Sequence, residues 1–130
     1  MRLVLDADVV IAALDGSDIH HRAARRLFIR WQREDATRLL GLVNLSEVLV
    51  APSADRARLR AAREAIAALG VTVHRPTEGI GIEAGRLRAE HPISLPDAYC
   101  LATARLAGGR LVSFDRKVVR AAKAEEIPSI

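Results

Sequence analysis

Cysteine, lysine and aromatic side chains are nearly missing from this chain, and each shortage removes a class of explanation. The single cysteine, Cys100, cannot build a disulfide framework, and the chain has no CxxC or paired Cys/His spacing of the kind that holds zinc. The histidines His20, His21, His74 and His91 share no ligand spacing such as HExxH. With two Phe, one Tyr and one Trp, the chain is poor in the aromatic platforms on which many modules stack bases. No stretch approaches the roughly 18 apolar residues of a membrane span. Met1-Arg2 followed by an acidic strand end lacks the pattern of a signal peptide, so the expectation is a cytoplasmic protein.

What remains is apolar and basic. Half of the 130 residues are hydrophobic, chiefly Ala, Val, Leu and Ile, which suits buried strands covered by Ala-rich helices. One domain spanning 1–130 is expected, long enough to bury roughly two thirds of its unfolded surface. The net charge is +4, and Lys117 and Lys123 are the only lysines among the 20 basic residues. Arginine binds phosphate through a planar fork as well as by charge, but solvated basic faces explain the same composition, so charge alone does not decide.

Along the chain, short apolar runs alternate with helical patterns. Residues 2–5 read as a buried strand and 7–14 as a helix, broken at Asp15-Gly16-Ser17. A helix from His20 to Arg33, capped by Ser17 or Asp18, carries Ala23, Ala24, Leu27, Phe28 and Trp31 at helical spacing as its core face and arginines on the other. Residues 39–43 read as a strand, and Asn44 with Glu47 resembles a capping box opening a helix that Pro52 stops. Ser53 reads as the cap of a helix to Leu69, closed by Gly70.

Residues 71–74 form the next expected strand, followed by a helix from Thr77 to His91-Pro92 that three glycines weaken. Ser94-Leu95-Pro96-Asp97 is the signature of a helix start, and Gly108 of its end. A strand at 111–113, a basic helix over 116–124 and an edge strand at 127–130 complete the chain. Strands alternating with helices predict an α/β fold: a parallel sheet of four to five short strands with helices on both faces, in three layers.

Four acids stand out. Asp6, Glu47 and Asp115 each follow an expected strand, while Asp97 opens a helix that leads into one. Singly, each is explained as a helix cap worth about 0.5–2 kcal/mol. Jointly they are more informative, because the carboxyl ends of parallel strands share one edge, where a crevice forms at the switch in strand order. Strand polarity alone does not place Asp97 there. Several carboxylates in one crevice repel unless a cation neutralises them, and hard oxygen donors suit Mg²⁺ or Mn²⁺ rather than zinc. Cys100, among Ala98, Leu101 and Ala104, reads as a buried small residue, and Tyr99 as structural.

Leu3-Val4-Leu5-Asp6, Asn44-Leu45-Ser46-Glu47-Val48-Leu49, Leu95-Pro96-Asp97-Ala98-Tyr99-Cys100-Leu101-Ala102-Thr103-Ala104 and Leu111-Val112-Ser113-Phe114-Asp115 resemble the four acidic motifs of PIN-domain ribonucleases, in order and over essentially the whole chain. In size the chain is similar to the VapC-type toxins of toxin–antitoxin pairs. The resemblance implies that Asp6, Glu47, Asp97 and Asp115 hold one or two Mg²⁺ or Mn²⁺ ions for hydrolysis of RNA phosphodiesters, which in a toxin inhibits translation. It assigns Ser113 to a supporting hydrogen bond, and it implies a small antitoxin partner and a homodimer. The chain departs from the family at Asp8, where Ser or Thr is usual. That acid is left either as an outer-sphere ligand or as a helix-start residue turned to solvent.

Setting the four acids aside leaves 12 acidic against 20 basic residues, an acidic pocket in a basic body. Candidate RNA contacts are Arg22, Arg25, Arg26 and Arg30 on the second helix and Arg116, Lys117 and Arg120 beside the last acid. Two rivals stand beside the nuclease. Asp6-Ala7-Asp8 matches the start of haloacid-dehalogenase-like phosphatases, but no lysine precedes Lys117, and Glu47 and Asp97 would have no role. A receiver-like phosphoacceptor fits less well, lacking an acid at the end of a middle strand paired with a late Lys. The non-enzyme rival is a PIN-like scaffold that only binds RNA or a protein.

Overall fold

The computed structural model describes residues 1–130. Leu3, Val4 and Leu5 are fully buried in the first strand, β1 (Arg2–Leu5), because both faces of the sheet are covered. The other strands are β2 (Thr37–Gly41), β3 (Val71–His74) and β4 (Arg110–Val112). All pairings are parallel and the order is β3-β2-β1-β4, with Val4 opposite Leu39 on one side and Leu111 on the other. The strand expected at 127–130 is reduced to one bridge, Ser129 to Leu111, beyond β4.

Strand alternation divides the core. Val4, Leu39 and Leu111 point to a layer built from α5 (Glu78–Glu90), α6 (Leu95–Ala107) and α7 (Arg116–Ala124). Leu3, Leu5, Leu40 and Val112 point the other way, to α1 (Ala7–Leu14), α2 (His21–Arg33), α3 (Leu42–Leu49) and α4 (Arg56–Ala68), where Phe28 and Trp31 meet edge to face at 5.0 Å. The result is the three-layer α/β arrangement expected from the alternation of strands and helices. No helix is long and apolar enough to cross a membrane.

Several boundaries differ from the sequence pattern for identifiable reasons. Helix α3 starts at Leu42 directly after β2, so Asn44 lies inside the helix and caps nothing. Ser53 sits in a short 3₁₀ turn, Pro52–Ala54, with its hydroxyl on the Leu49 carbonyl, and Asp55 caps α4 by accepting from the Ala57 and Arg58 N–H groups. At α2 the cap position is His20, with no side-chain bond; Asp18 accepts the His20 N–H instead. Thr77 caps α5, and burial of Ile80, Ala84 and Leu87 overrides its glycines. At Ser94 and Asp97 the reciprocal capping box forms as expected, and Gly108 ends α6 in the left-handed conformation.

An ion-pair network ties the α5–α7 layer together. Glu125, just past α7, meets Arg86 at 2.7 Å, Arg105 at 3.1 Å and His91 at 2.9 Å, while Glu83 also bonds both arginines. The Arg86 hydrogen bond, followed by that from His91, pulls the Glu125 carboxyl down to about 2.

Candidate active site

Strand order reverses at β1: the chain steps outward through β2 and β3, then returns to the other side of β1 as β4. The carboxyl ends of β1 and β4 therefore flank the crevice of this sheet. Asp6 is the first residue past β1 and Ser113 the first past β4. The Asp6 N–H donates to the Val112 carbonyl at 2.9 Å, which extends the strand pairing and fixes the carboxylate between the two elements.

The Asp6 side chain is 4% exposed. One carboxylate oxygen accepts the Ala7 N–H at 2.8 Å, and the other accepts the Ser113 hydroxyl at 2.7 Å. Ser113 Oγ in turn accepts the Asp115 N–H at 3.0 Å, so one hydroxyl links the first acid to the last. Burial, reinforced by the neighbouring charge of Asp8, pushes the Asp6 carboxyl up to about 7, against the opposing Ser113 bond. Asp115 also caps α7, accepting the Lys117 N–H at 2.8 Å.

Asp8 is not turned to solvent. One of its oxygens accepts the Phe114 N–H at 3.0 Å, and the other is buried without any partner. Burial raises its carboxyl to about 6, with the Phe114 bond opposing and the charge of Asp115 adding to the rise. The outer-sphere alternative survives, joined now by a structural role, since Asp8 clamps the loop that carries Ser113 and Asp115.

Glu47 reaches the crevice from α3. Its carboxylate accepts from the Asn44 amide at 3.0 Å, and the same amide nitrogen donates to the Pro96 carbonyl at 3.0 Å. Asn44 is completely buried, and its own amide oxygen has no partner. A Cβ on Gly41 would stand 3.2 Å from that oxygen, a tight contact that would push Asn44 by a few tenths of an ångström. Burial raises the Glu47 carboxyl; the Asn44 bond opposes this and the charge of Asp97 adds to it. Asp97 uses one oxygen in the capping box, accepting the Ser94 N–H at 3.3 Å, and its field is felt at both Asp6 and Glu47.

The structure thus brings all four acids and Asp8 to one end of the sheet, linked by mutual repulsion: Glu47 with Asp97, Asp97 with Asp6, Asp6 with Asp8, Asp8 with Asp115. No Arg or Lys pairs with any of the five, every ion pair lying elsewhere. The acids do not form a closed cage, as no three of them bring oxygens within 4.8 Å of one another. The one triad that does, Glu90, His91 and Glu125, belongs to the arginine-neutralised network outside the crevice.

Of the basic candidates, Arg22, Arg25 and Arg26 are exposed on α2, and Arg116, Lys117 and Arg120 on α7. Arg30 is engaged by Glu34 at 2.8 Å and lines a separate depression with Arg26 and Arg33, which weakens its claim to substrate. Asn44 is the site residue that sequence reasoning misplaced. Its spacing of three before Glu47 was the available signal, since residues one helical turn apart share a face. Replacing Asn44 with Ala is expected to lower metal-dependent turnover about 10–100-fold by freeing Glu47. It should also cost about 1–3 kcal/mol of stability through the unpaired Pro96 carbonyl, checked by kinetics and urea melts of the same preparation.

The donor set fits a hard divalent cation: carboxylate oxygens and one orphaned buried oxygen on Asp8, with no thiolate or imidazole ligand among the four acids and no internal cation to balance them. A family model for the PIN domain matches residues 3–124. No curated protein matches this chain. Among solved structures, the chain is similar to a toxin–antitoxin complex from Klebsiella pneumoniae (24% identity, TM-score 0.70, covering 90% of this chain and 88% of that one). It is similar to VapC20 of Mycobacterium tuberculosis, a sarcin–ricin-loop-cleaving toxin (23%, 0.73, 93% and 95%). A third likeness is to VapBC-1 from nontypeable Haemophilus influenzae (13%, 0.74, 100% and 97%). At these identities the structural likenesses speak for the fold.

Proposed function

The chain belongs to the PIN domain family, and from that premise we propose that it is a Mg²⁺- or Mn²⁺-dependent endoribonuclease acting as the VapC-type toxin of a toxin–antitoxin pair. The observation that carries the reading is the acid cluster at the strand switch, Asp6 buried and the other acids half-buried, with no Arg or Lys paired to any of them. Asp6, Glu47, Asp97 and Asp115 would hold the ion. When bound, it supplies an activated water and charge stabilisation for the leaving oxygen.

The chain's own residues do the positioning. Ser113 orients Asp6 and ties it to Asp115, Asn44 holds Glu47 toward the start of α6, and Asp8 anchors the Phe114 backbone so that the last acid stays in place. Arg116 and Lys117, directly after Asp115, and Arg22, Arg25 and Arg26 on α2 supply charge for an RNA backbone. Of the similar solved structures, one is a toxin–antitoxin complex and one a sarcin–ricin-loop-cleaving toxin. An antitoxin would find a receptor beside the acids. A groove of about 560 Å³, walled by Ile11, Leu14, Val48, Ala51, Ala61 and Ala62, opens beside Glu47 and would take an apolar segment with a basic residue directed at the acids. Homodimerisation would use the exposed Ile82, Leu95 and Leu106 on α5 and α6. Translation arrest in the cytoplasm is the setting this reading implies.

The phosphatase alternative asks Asp8 to act as a free general acid, whereas its carboxylate is engaged by Phe114 N–H and sunk below the surface. Incubation of the purified chain with total RNA is expected to give discrete cleavage in Mn²⁺ or Mg²⁺ and none in EDTA. Hydrolysis of a phosphomonoester without RNA cleavage would return the phosphatase, and RNA binding without cleavage would make the chain a binding module.

A further inference from the structure

This end of the sheet also carries an aromatic pair. His20, at the start of α2, stacks its imidazole on the ring of Phe114, with centroids 4.5 Å apart and planes 17° from parallel. Of the other aromatics, Phe28 and Trp31 are buried in the core and Tyr99 packs against the α5–α7 layer. His20 is exposed, its ring makes no capping bond to its own helix, and the adjacent Ile19 is 91% exposed. Phe114 is partly buried against the α1–α4 side of the core, its N–H is bonded to Asp8, and it lies between Ser113 and Asp115.

The pair is therefore an exposed aromatic step, with Phe114 adjacent in sequence to Asp115 and bonded through its N–H to Asp8, and with Arg22, Arg116 and Lys117 close by in sequence. An open ring face beside cations is what an unpaired base recognises, because every base offers a π-face while the cations take the phosphates. A packing role for His20 on Phe114 alone does not explain why His20 and Ile19 both stay exposed. We propose that the His20–Phe114 stack is a base-stacking subsite for single-stranded RNA, seating a nucleotide next to the scissile phosphate. The subsite rests on the ribonuclease reading and adds to it the two side chains that would seat a base. It also refines the composition argument, since few aromatics still suffice for one platform.

The test is binding of a short single-stranded oligoadenylate to the full chain in EDTA, where the RNA stays intact, read by fluorescence anisotropy. His20→Ala and Phe114→Leu are each expected to raise Kd about tenfold, and His20→Trp to restore it. An oligonucleotide carrying abasic sites in place of its bases should bind the parent and His20→Ala equally. His20→Ala within twofold of the parent on intact RNA overturns the subsite while leaving the nuclease intact. An equal loss on intact and abasic RNA also overturns it, because the imidazole would then act on the backbone. A parent chain that neither binds this RNA nor cleaves total RNA in Mn²⁺ removes the ribonuclease reading itself, and the subsite with it.

Discussion

Replacing Asp6 with Asn is expected to lower metal-dependent RNA cleavage at least about a thousandfold while the chain stays folded. The activity loss follows from removing the most buried of the acids proposed to hold the ion, since electrostatic stabilisation by a metal is worth several kcal/mol in a transition state. Survival of the fold follows from the shape and bonding of the new side chain. An amide oxygen can still accept from Ser113 or from Ala7 N–H, and no cation loses a partner because none faces Asp6. The same substitution is expected to stabilise the metal-free protein above pH 7, because it removes a charge that burial and Asp8 both oppose. An activity loss accompanied by higher stability separates a functional acid from a structural cap. As a cap alone, Asp6 would lose stability on substitution and leave cleavage intact. Cleavage rates and urea melts of parent and variant, run at pH 8, decide between these outcomes.

The second large effect is on stability against pH. The Asp6 carboxyl titrates near 7 in the folded chain against 3.8 for the ordinary group. A folded-state value above the unfolded one means that the native chain holds the proton more tightly. The Asp6 contribution to stability is therefore full below about 4, falls as pH rises through the window up to 7, and is lost above it. The loss at pH 8 relative to pH 5 should be a few kcal/mol, with Asp8 contributing in the same direction up to about 6. Glu125 acts oppositely, its arginine-held carboxylate losing its stabilisation as pH falls toward 2, outside this window. Divalent ions replace the proton as the neutralising charge, so Mg²⁺ should raise the melting temperature clearly at pH 8 and little at pH 5. A melting temperature that is flat from pH 5 to pH 8 without metal would contradict the burial argument.

How far the chain could be read from its residues depended on the range of the interactions involved. Helix α6 was legible because its start is local, with Ser94, Pro96 and Asp97 within four positions. Asp6 was legible because apolar residues on both sides left a charge with no route to water. Asn44 was misread because Asn-x-x-Glu has the same appearance at a helix start as inside a helix. The deciding fact, that β2 passes into α3 without a loop, is a matter of tertiary packing. Ser53 and Asp55 are both good caps two residues apart, and local pattern did not separate them. Asp8 was out of reach altogether, because its partner Phe114 lies 106 residues away. The same holds for the stack of His20 on Phe114.

The central claim is that acids from β1, α3, α6 and the end of β4 form one divalent-ion site. Calorimetric titration of Mn²⁺ into the purified chain and into the Asp6→Asn variant at pH 8 tests it most directly. The expected result is saturable binding to the parent, with the variant weakened at least about tenfold. Equal binding by both chains, or none by the parent at millimolar Mn²⁺, would contradict it.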